Sequence, residues 1–275
     1  MTDSKAEGPQ GAAASLLNGL RVLEAFDMAT PSLGVTEVAH RVGLHKSTVS
    51  RILSGLAQTG YVERDDATGK YRLGLGIITL AGPLLAELDV RRLAIDKLEH
   101  LTETTRETSA LSVWNGSEAV AVEQVPSPQA VKHTAYVGTR YNRWESSSVR
   151  VFLSHLPIQE VGELLASGRI RADTTPPEDL EAALALVRDQ GYDVNDGRTD
   201  PQEFGISVAV HDYSGAVAGC VTLSVPRSRV AEKDVDRLVA AVRRAAQRIT
   251  QDFGASGAGT RGKHVRRVQM QNAEG

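Results

Sequence analysis

Residues Val35–Gly74 read VTEVAHRVGLHKSTVSRILSGLAQTGYVERDDATGKYRLG, and the period of their apolar residues changes part-way. From Thr36 to Val42, the residues Val38, Ala39 and Val42 share one side of a short helix. Gly43 follows, the residue type that most easily takes the left-handed turn ending a helix. From about Lys46 to Gln58, Val49, Ile52, Leu53 and Leu56 stand at i, i+3, i+4 and i+7, the inward stripe of another helix. After Gly60 the period falls to two. YVER and KYRL read as short strands around DDATG, whose Asp and Thr make local hydrogen bonds and whose Gly69 accepts a positive φ.

Upstream, SLLNGLRVLEAF sets Leu16, Leu20 and Leu23 on one helix face with Ser15 as its cap, and PSLG breaks the chain after it. Helix, helix, helix, hairpin is the order of a winged helix-turn-helix, which we place at residues 15–75. Residues 1–14, rich in Gly, Ala and small polar types, read as a disordered lead-in. Residues 76–90 read as a linker helix with Pro83 as a bend or restart. From 91 to 253 the texture differs: one helix, strands SALSVWNG and EAVAVEQV, a third in VKHTAYVGTR, helices near 148–155, 158–166 and 177–190, strands EFGISVAVHD and AVAGCVTLSVP, and a closing helix from Ala231. Strands segregated from helices predict an α+β domain with an antiparallel sheet. Residues 254–275 read as a basic disordered tail, with Arg261, Lys263, Arg266 and Arg267 against Glu274.

The bulk numbers narrow the function. The chain has 275 residues, net charge −3, 41% hydrophobic and 24% charged residues, the profile of a globular protein of two domains. Any nucleic-acid surface must therefore be local. A single cysteine, Cys220, excludes an intramolecular disulfide framework. No apolar run approaches the roughly 18–20 residues of a membrane span, and the N-terminus lacks the apolar core of a signal peptide. The expectation is a cytoplasmic protein with no membrane partner.

One helix face stands out. With Val49, Ile52, Leu53 and Leu56 inward, Ser47, Ser50, Arg51 and Ser54 face the other way, flanked by Lys46 and Thr48. Short hydroxyls let a backbone approach closely; Arg reaches guanine or phosphate, and Lys and Ser reach phosphate. Arg41 and His45 precede this face, and Arg64, Lys70 and Arg72 lie on the wing. Together they form the expected surface for double-stranded operator DNA. For the face alone, the alternative is a solvated side of a small helical domain.

Here the chain resembles the IclR family of bacterial transcriptional regulators, over about residues 15–250. GLHKSTVSRILSGLAQTGYVERDDATGKYRLG is similar to that family's recognition helix and wing. VGTRYNRWESSSVRVFLSHLP and GYDVNDGRTDPQEFGISVAVHDYSGAVAGCVTLSVPRSRV stand where its two effector-domain motifs fall. His45 departs from the usual Ser or Pro at the helix start. The resemblance implies a GAF-like effector domain, a homodimer or homotetramer, and a ligand-responsive regulator, read here as a repressor. It implies a small organic acid as effector, with contacts at Ser148, Val149, Asp196, Gly205, Thr222 and Ser224. Gly205 is often a cysteine in that family.

The residues themselves fit such a site. Ser146, Ser147 and Ser148 open a helix, where hydroxyls and free N–H groups suit a carboxylate. Thr222 and Ser224 alternate onto one strand face. Where the family shows apolar-Pro-apolar-His-Ala-Thr, this chain has Tyr141, Asn142, Arg143, Trp144, Glu145 and Ser146. Tyr141 and Trp144 favour a flat aromatic carboxylate by stacking, and Arg140 or Arg143 can pair its charge. The bland alternative is a plain N-cap and an exposed strand face.

Enzyme motifs find little support. GISVA lacks the last glycine of a nucleophile elbow and runs through β-branched residues, so Ser207 reads as a strand residue. Cys220 lies in an apolar strand. The seven histidines are scattered, GLGI is no dinucleotide fingerprint, and there is no phosphate-binding loop. No cofactor or metal is expected. Two other readings stay open: an enzyme with an appended DNA-binding module, and a non-sensing adaptor whose second domain only oligomerises.

Overall fold

A computed structural model of the chain describes residues 9–133 and 136–257. Two compact units divide after Glu87. In the first, α1 (Pro9–Glu24), α2 (Val35–Val42) and α3 (Lys46–Gln58) pack over a core of Val22, Phe26, Val38, Val49, Leu53 and Tyr71. Gly43 ends α2 at φ 67°, and its N–H donates to Ala39 O. The wing is β2 (Val62–Arg64) and β3 (Tyr71–Leu73), and β1 (Ser32–Leu33) joins the far side of β3. The segment PSLG is thus a breaker and a third strand at once. Asp65 shapes the wing turn: its Oδ1 accepts from Ala67 N at 2.8 Å, and its carbonyl accepts from Gly69 N at 2.7 Å. Gly74 must stay a glycine, because a Cβ there would lie 2.3 Å from Gly60 O.

The first helix begins at Pro9, so Ser15 does not cap it and residues 9–14 are no disordered lead-in. The run GAAAS supplies good helix formers that composition alone misreads. Residues 1–8 of that lead-in lie outside the described residues. After the wing comes α4 (Gly76–Glu87), with Pro83 inside it.

The second unit opens with α5 (Asp89–Thr105). Its strands are β4 (Thr108–Trp114), β5 (Ala119–Val125), β6 (Arg140–Tyr141), β7 (Asp193–Asp196), β8 (Glu203–His211) and β9 (Val217–Pro226). They form one antiparallel sheet in the order β6-β5-β4-β9-β8-β7. Among the described residues of VKHTAYVGTR, Arg140 alone enters a strand, together with the following Tyr141, and residues 134–135 lie outside the description. The helices are α6 (Ser147–Leu153), α7 (Ile158–Ala166), α8 (Leu180–Gln190) and α9 (Val235–Gly257). Two short 3-10 turns precede α9, which therefore starts after Ala231 and runs past Phe253; the basic tail from residue 258 onward is outside the described residues.

The two faces of this sheet differ. Towards α5 and α9 it carries Leu111, Ile206, Val208, Val221, Leu223 and Val225, packed into the larger core. Towards α6 it carries small and hydroxyl side chains. Two rows cross the strands β4, β9, β8 and β7: Thr108–Ser224–Gly205–Asn195 and Ala110–Thr222–Ser207–Asp193. Facing residues of an antiparallel pair share a side of the sheet, and the contacts of Ser207 and Asp193 with α6 fix which side.

Candidate functional site

On the first unit, the structure places the sequence-picked residues in two groups. Ser47, Ser50 and Ser54 are exposed along α3, and Thr48 is half-buried. His45 caps α3: its Nδ1 accepts from Ser47 N at 3.3 Å and lies 2.8 Å from Ser47 Oγ. An imidazole thus does the work of the usual hydroxyl. Among the described residues, Lys46 and Arg51 form no ion pair. Arg51 and Thr48 border a cleft of about 630 Å³ that runs beside α1 and Leu80.

The other cations are compensated by acids that the sequence pattern did not reveal. Arg41 pairs with Asp27 at 3.0 Å and donates to Ala25 O at 2.8 Å. Lys70 lies 3.5 Å from Glu37, and Arg72 lies 2.7 Å from Glu63. Arg64 sits over the Tyr71 ring at 6.0 Å. The hydrogen bonds from Thr30 hold the Asp27 carboxyl below its usual range, with Arg41 adding to them. Of the cations singled out in the first unit, those with no acid partner among the described residues are thus Lys46 and Arg51 on α3 and Arg64 on β2.

On the second unit, Ser146, Ser147 and Ser148 are all buried at the start of α6. Ser146 Oγ lies 3.0 Å from Ser148 Oγ rather than capping the helix. Ser147 Oγ meets Ser207 Oγ at 2.8 Å, and Ser207 Oγ meets Thr222 Oγ1 at 2.9 Å. A hydroxyl chain therefore runs from the helix start into the sheet. Gly205 lies in the adjoining row, where an added Cβ would come 3.5 Å from Ser147 Oγ. Ser224 faces Gly205 and is buried.

Other sequence-picked residues stand elsewhere. Asp196 faces Phe204, a member of the α5/α9 core, and forms an ion pair with Arg227. It belongs to the opposite side of the sheet from Gly205. Asn195 and Asp193 stand on the Gly205 side instead, because side chains alternate along a strand. Val149 and Trp144 are packed into the apolar cluster beneath α6, so neither is free to stack on a ligand. Tyr141 is half-buried at the sheet edge, and burial pushes its phenol up to about 12. Arg140 is exposed and pairs with Glu118 at 2.6 Å.

Three residues not singled out for binding in the sequence bond into the same face: Ser207, Asp193 and Arg150. Arg150 Nε donates to Asp193 Oδ2 at 2.7 Å and Nη2 donates to Val194 O at 3.1 Å, pinning α6 to β7. Burial pushes the Asp193 carboxyl up while Arg150 pulls it down. Strand alternation would have revealed Asp193 and Ser207 had β7 been recognised. Cys220 lies buried in the same face, its thiol pushed up to about 12 by burial, which makes it a poor nucleophile. Ser207 bonds to two hydroxyls and to no histidine. Among the described residues no His, Cys, Asp and Glu cluster suits a metal.

Two family models match the chain. Residues 15–66 match the IclR helix-turn-helix domain, and residues 83–251 match the bacterial transcriptional regulator IclR C-terminal domain. The chain belongs to the IclR family of DNA-binding transcriptional regulators. Among IclR-family relatives, the transcriptional regulator KdgR of Dickeya chrysanthemi is 29% identical, over 81% of this chain and 74% of its own. The acetate operon repressor of Salmonella typhimurium is 27% identical, over 90% and 92%. The crystal structure of an IclR homologue from Microbacterium hydrocarbonoxydans, complexed with 4-hydroxybenzoate, superposes with a TM-score of 0.73 at 26% identity, over 88% of this chain and 100% of that one. No described helix is long and apolar enough to cross a membrane.

Proposed function

We propose that this IclR-family chain is a cytoplasmic repressor, not an enzyme, whose second unit binds a small organic acid and thereby changes the affinity of the first unit for operator DNA. The observation that carries the reading is the buried hydroxyl chain Ser147–Ser207–Thr222 on a sheet face of small side chains. Hydroxyls and helix N–H groups suit a carboxylate. Ser146, Ser148, Gly205, Ser224 and Asn195 complete the site in this reading, and Arg140 and Tyr141 stand at its margin. The homologue crystallised with 4-hydroxybenzoate supports an aromatic acid.

Lys46, Ser47, Ser50 and Arg51 of α3 then read the major groove, while His45, Thr48, Arg64, Lys70, Arg41 and Arg72 hold or approach phosphates. Exposed leucines at Leu16 (68%), Leu20 (50%) and Leu80 (66%) support pairing of two chains through the first unit. A differential affinity of ~1–3 kcal/mol between two states suffices for the switch.

The test is a fluorescence-anisotropy titration on the DNA upstream of the gene, at fixed salt, with and without a panel of aromatic and aliphatic carboxylic acids. Selective, salt-sensitive binding that one acid shifts several-fold is the expected result. Selective binding that no acid alters overturns the sensing half and favours the adaptor. Absence of selective binding overturns the DNA-reading assignment.

A further inference from the structure

Three buried side-chain polar atoms among the described residues lack a hydrogen-bond partner: Trp114 Nε1, Arg143 Nε and Glu145 Oε2. Trp114 packs against the apolar cluster that holds α6, and Arg143 and Glu145 lie in the segment leading into α6. Buried polar atoms are normally paired, so such atoms call for an explanation. Two of them face each other. Arg143 Nε and Glu145 Oε2 form an ion pair at 4.0 Å, too far for a hydrogen bond.

Both side chains are otherwise held firmly. Glu145 is 1% exposed, and its Oε1 accepts from Asp173 N, Thr174 N and Thr174 Oγ1, each at 2.9 Å. Arg143 Nη1 donates to Thr199 O at 3.0 Å, and Nη2 pairs with Asp173. Neither head can turn to meet the other without losing those bonds. What the arrangement presents is one donor and one acceptor, fixed side by side. An oxygen at ordinary hydrogen-bond distance from both, roughly 2.8–2.9 Å, fits between them only if it accepts from Nε and donates to Oε2. A hydroxyl does this. A carbonyl, an ether or a methyl group does not.

We infer that Arg143 and Glu145 form a hydroxyl-reading pair, so the effector is a carboxylic acid that carries a second, hydroxyl group away from its carboxylate. This rests on the acid-sensing reading above: Glu145 immediately precedes the Ser146–Ser148 helix start, so carboxylate and hydroxyl would be read at neighbouring stations. A site built to bond a hydroxyl rejects the analogue lacking it, because its own buried groups are left unpaired.

The test compares matched acids by isothermal titration on the full chain: 4-hydroxybenzoate with benzoate, 4-hydroxyphenylacetate with phenylacetate, and 3-hydroxybutyrate with butyrate. The expected result is a preference of at least about tenfold for the hydroxylated member of one pair. Glu145→Gln keeps an oxygen for the Asp173 and Thr174 donors but turns an N–H₂ towards Arg143. The site then offers two donors, and the preference should pass to an acceptor-only partner such as 4-methoxybenzoate. A loss of folding would lower all affinities together, whereas this exchange of preference would not follow from it; near-ultraviolet circular dichroism checks the fold, and Arg143→Met, which removes the donor, should abolish the preference. Equal binding of both members of every pair, in a protein that still binds acids, overturns the assignment and leaves an enclosed water between the two atoms. Failure to bind any acid overturns this inference and the acid-sensing reading together.

Discussion

Two helices of this chain open on serines, and they put them to opposite uses. On α3, Ser47, Ser50 and Ser54 are exposed and stand beside Lys46 and Arg51, which have no acid partner among the described residues. On α6, Ser146, Ser147 and Ser148 are buried and bonded to other hydroxyls, and the nearby Arg150 is locked to Asp193. Residue type alone does not separate these cases. What separates them is whether water or protein satisfies the polar groups. An exposed hydroxyl can exchange its water for a phosphate, whereas a buried one must be bonded before any ligand arrives.

The largest break in this contrast is expected at the buried pair. Asp193→Ala leaves the Arg150 guanidinium buried without its partner, and urea unfolding should show a loss of about 3–5 kcal/mol. The double change Arg150→Met with Asp193→Leu should recover most of it. On the exposed helix, Arg51→Ala should cost about 1–3 kcal/mol of operator affinity with the fold intact, and Lys46→Ala should lower the slope of log affinity against log salt by about 0.9. A steep loss of melting temperature in either variant would show that α3 carries its cations for stability instead.

Gly205→Ala sharpens the comparison further. Its added methyl meets Ser147 Oγ at 3.5 Å and Asn195 Cβ at 3.7 Å, ordinary contact distances, so the melting temperature should barely move. If acids bind there, their affinity should fall, because the methyl occupies the site. The smallest effect concerns pH. Burial, aided by the neighbouring His155 ring at 5.3 Å, lowers the His211 pKa from its ordinary value of 6.5. The unfolded chain then binds the extra proton first, so stability is complete above 6.5 and declines as pH falls below it. A melting series from pH 7.5 to 5 should show that decline, and His211→Gln should flatten it.

Much of the first unit was legible because its signals are local. The 3.6-residue stripe Val49–Leu56, the glycine at 43 and the Asp65–Gly69 turn each specify their own geometry. The second unit was legible as strands and helices, but its site was not. Asp196 rests on the family resemblance alone, and β7, only four residues long, carries no alternating apolar signal that would fix its register. One residue of register moves a side chain through the sheet. Trp144 is expected to stack on a flat ligand, yet its backbone N–H donates to Arg171 O and the ring goes inward. Pairing over such distances leaves no trace in a local window.

The hydroxyl chain has one more consequence. In Ser147–Ser207–Thr222, either atom of each pair can be the donor. The same heavy atoms therefore hold two hydrogen orders, related by rotating O–H bonds alone. One order ends on a donor and suits a carboxylate; the reverse ends on an acceptor and suits a protonated acid or an amide. A guest bonded to either end would select the polarity of the chain, so these three hydroxyls would read charge tolerantly. Selectivity must then come from side chains that cannot reverse, whose donors and acceptors are fixed by covalent structure.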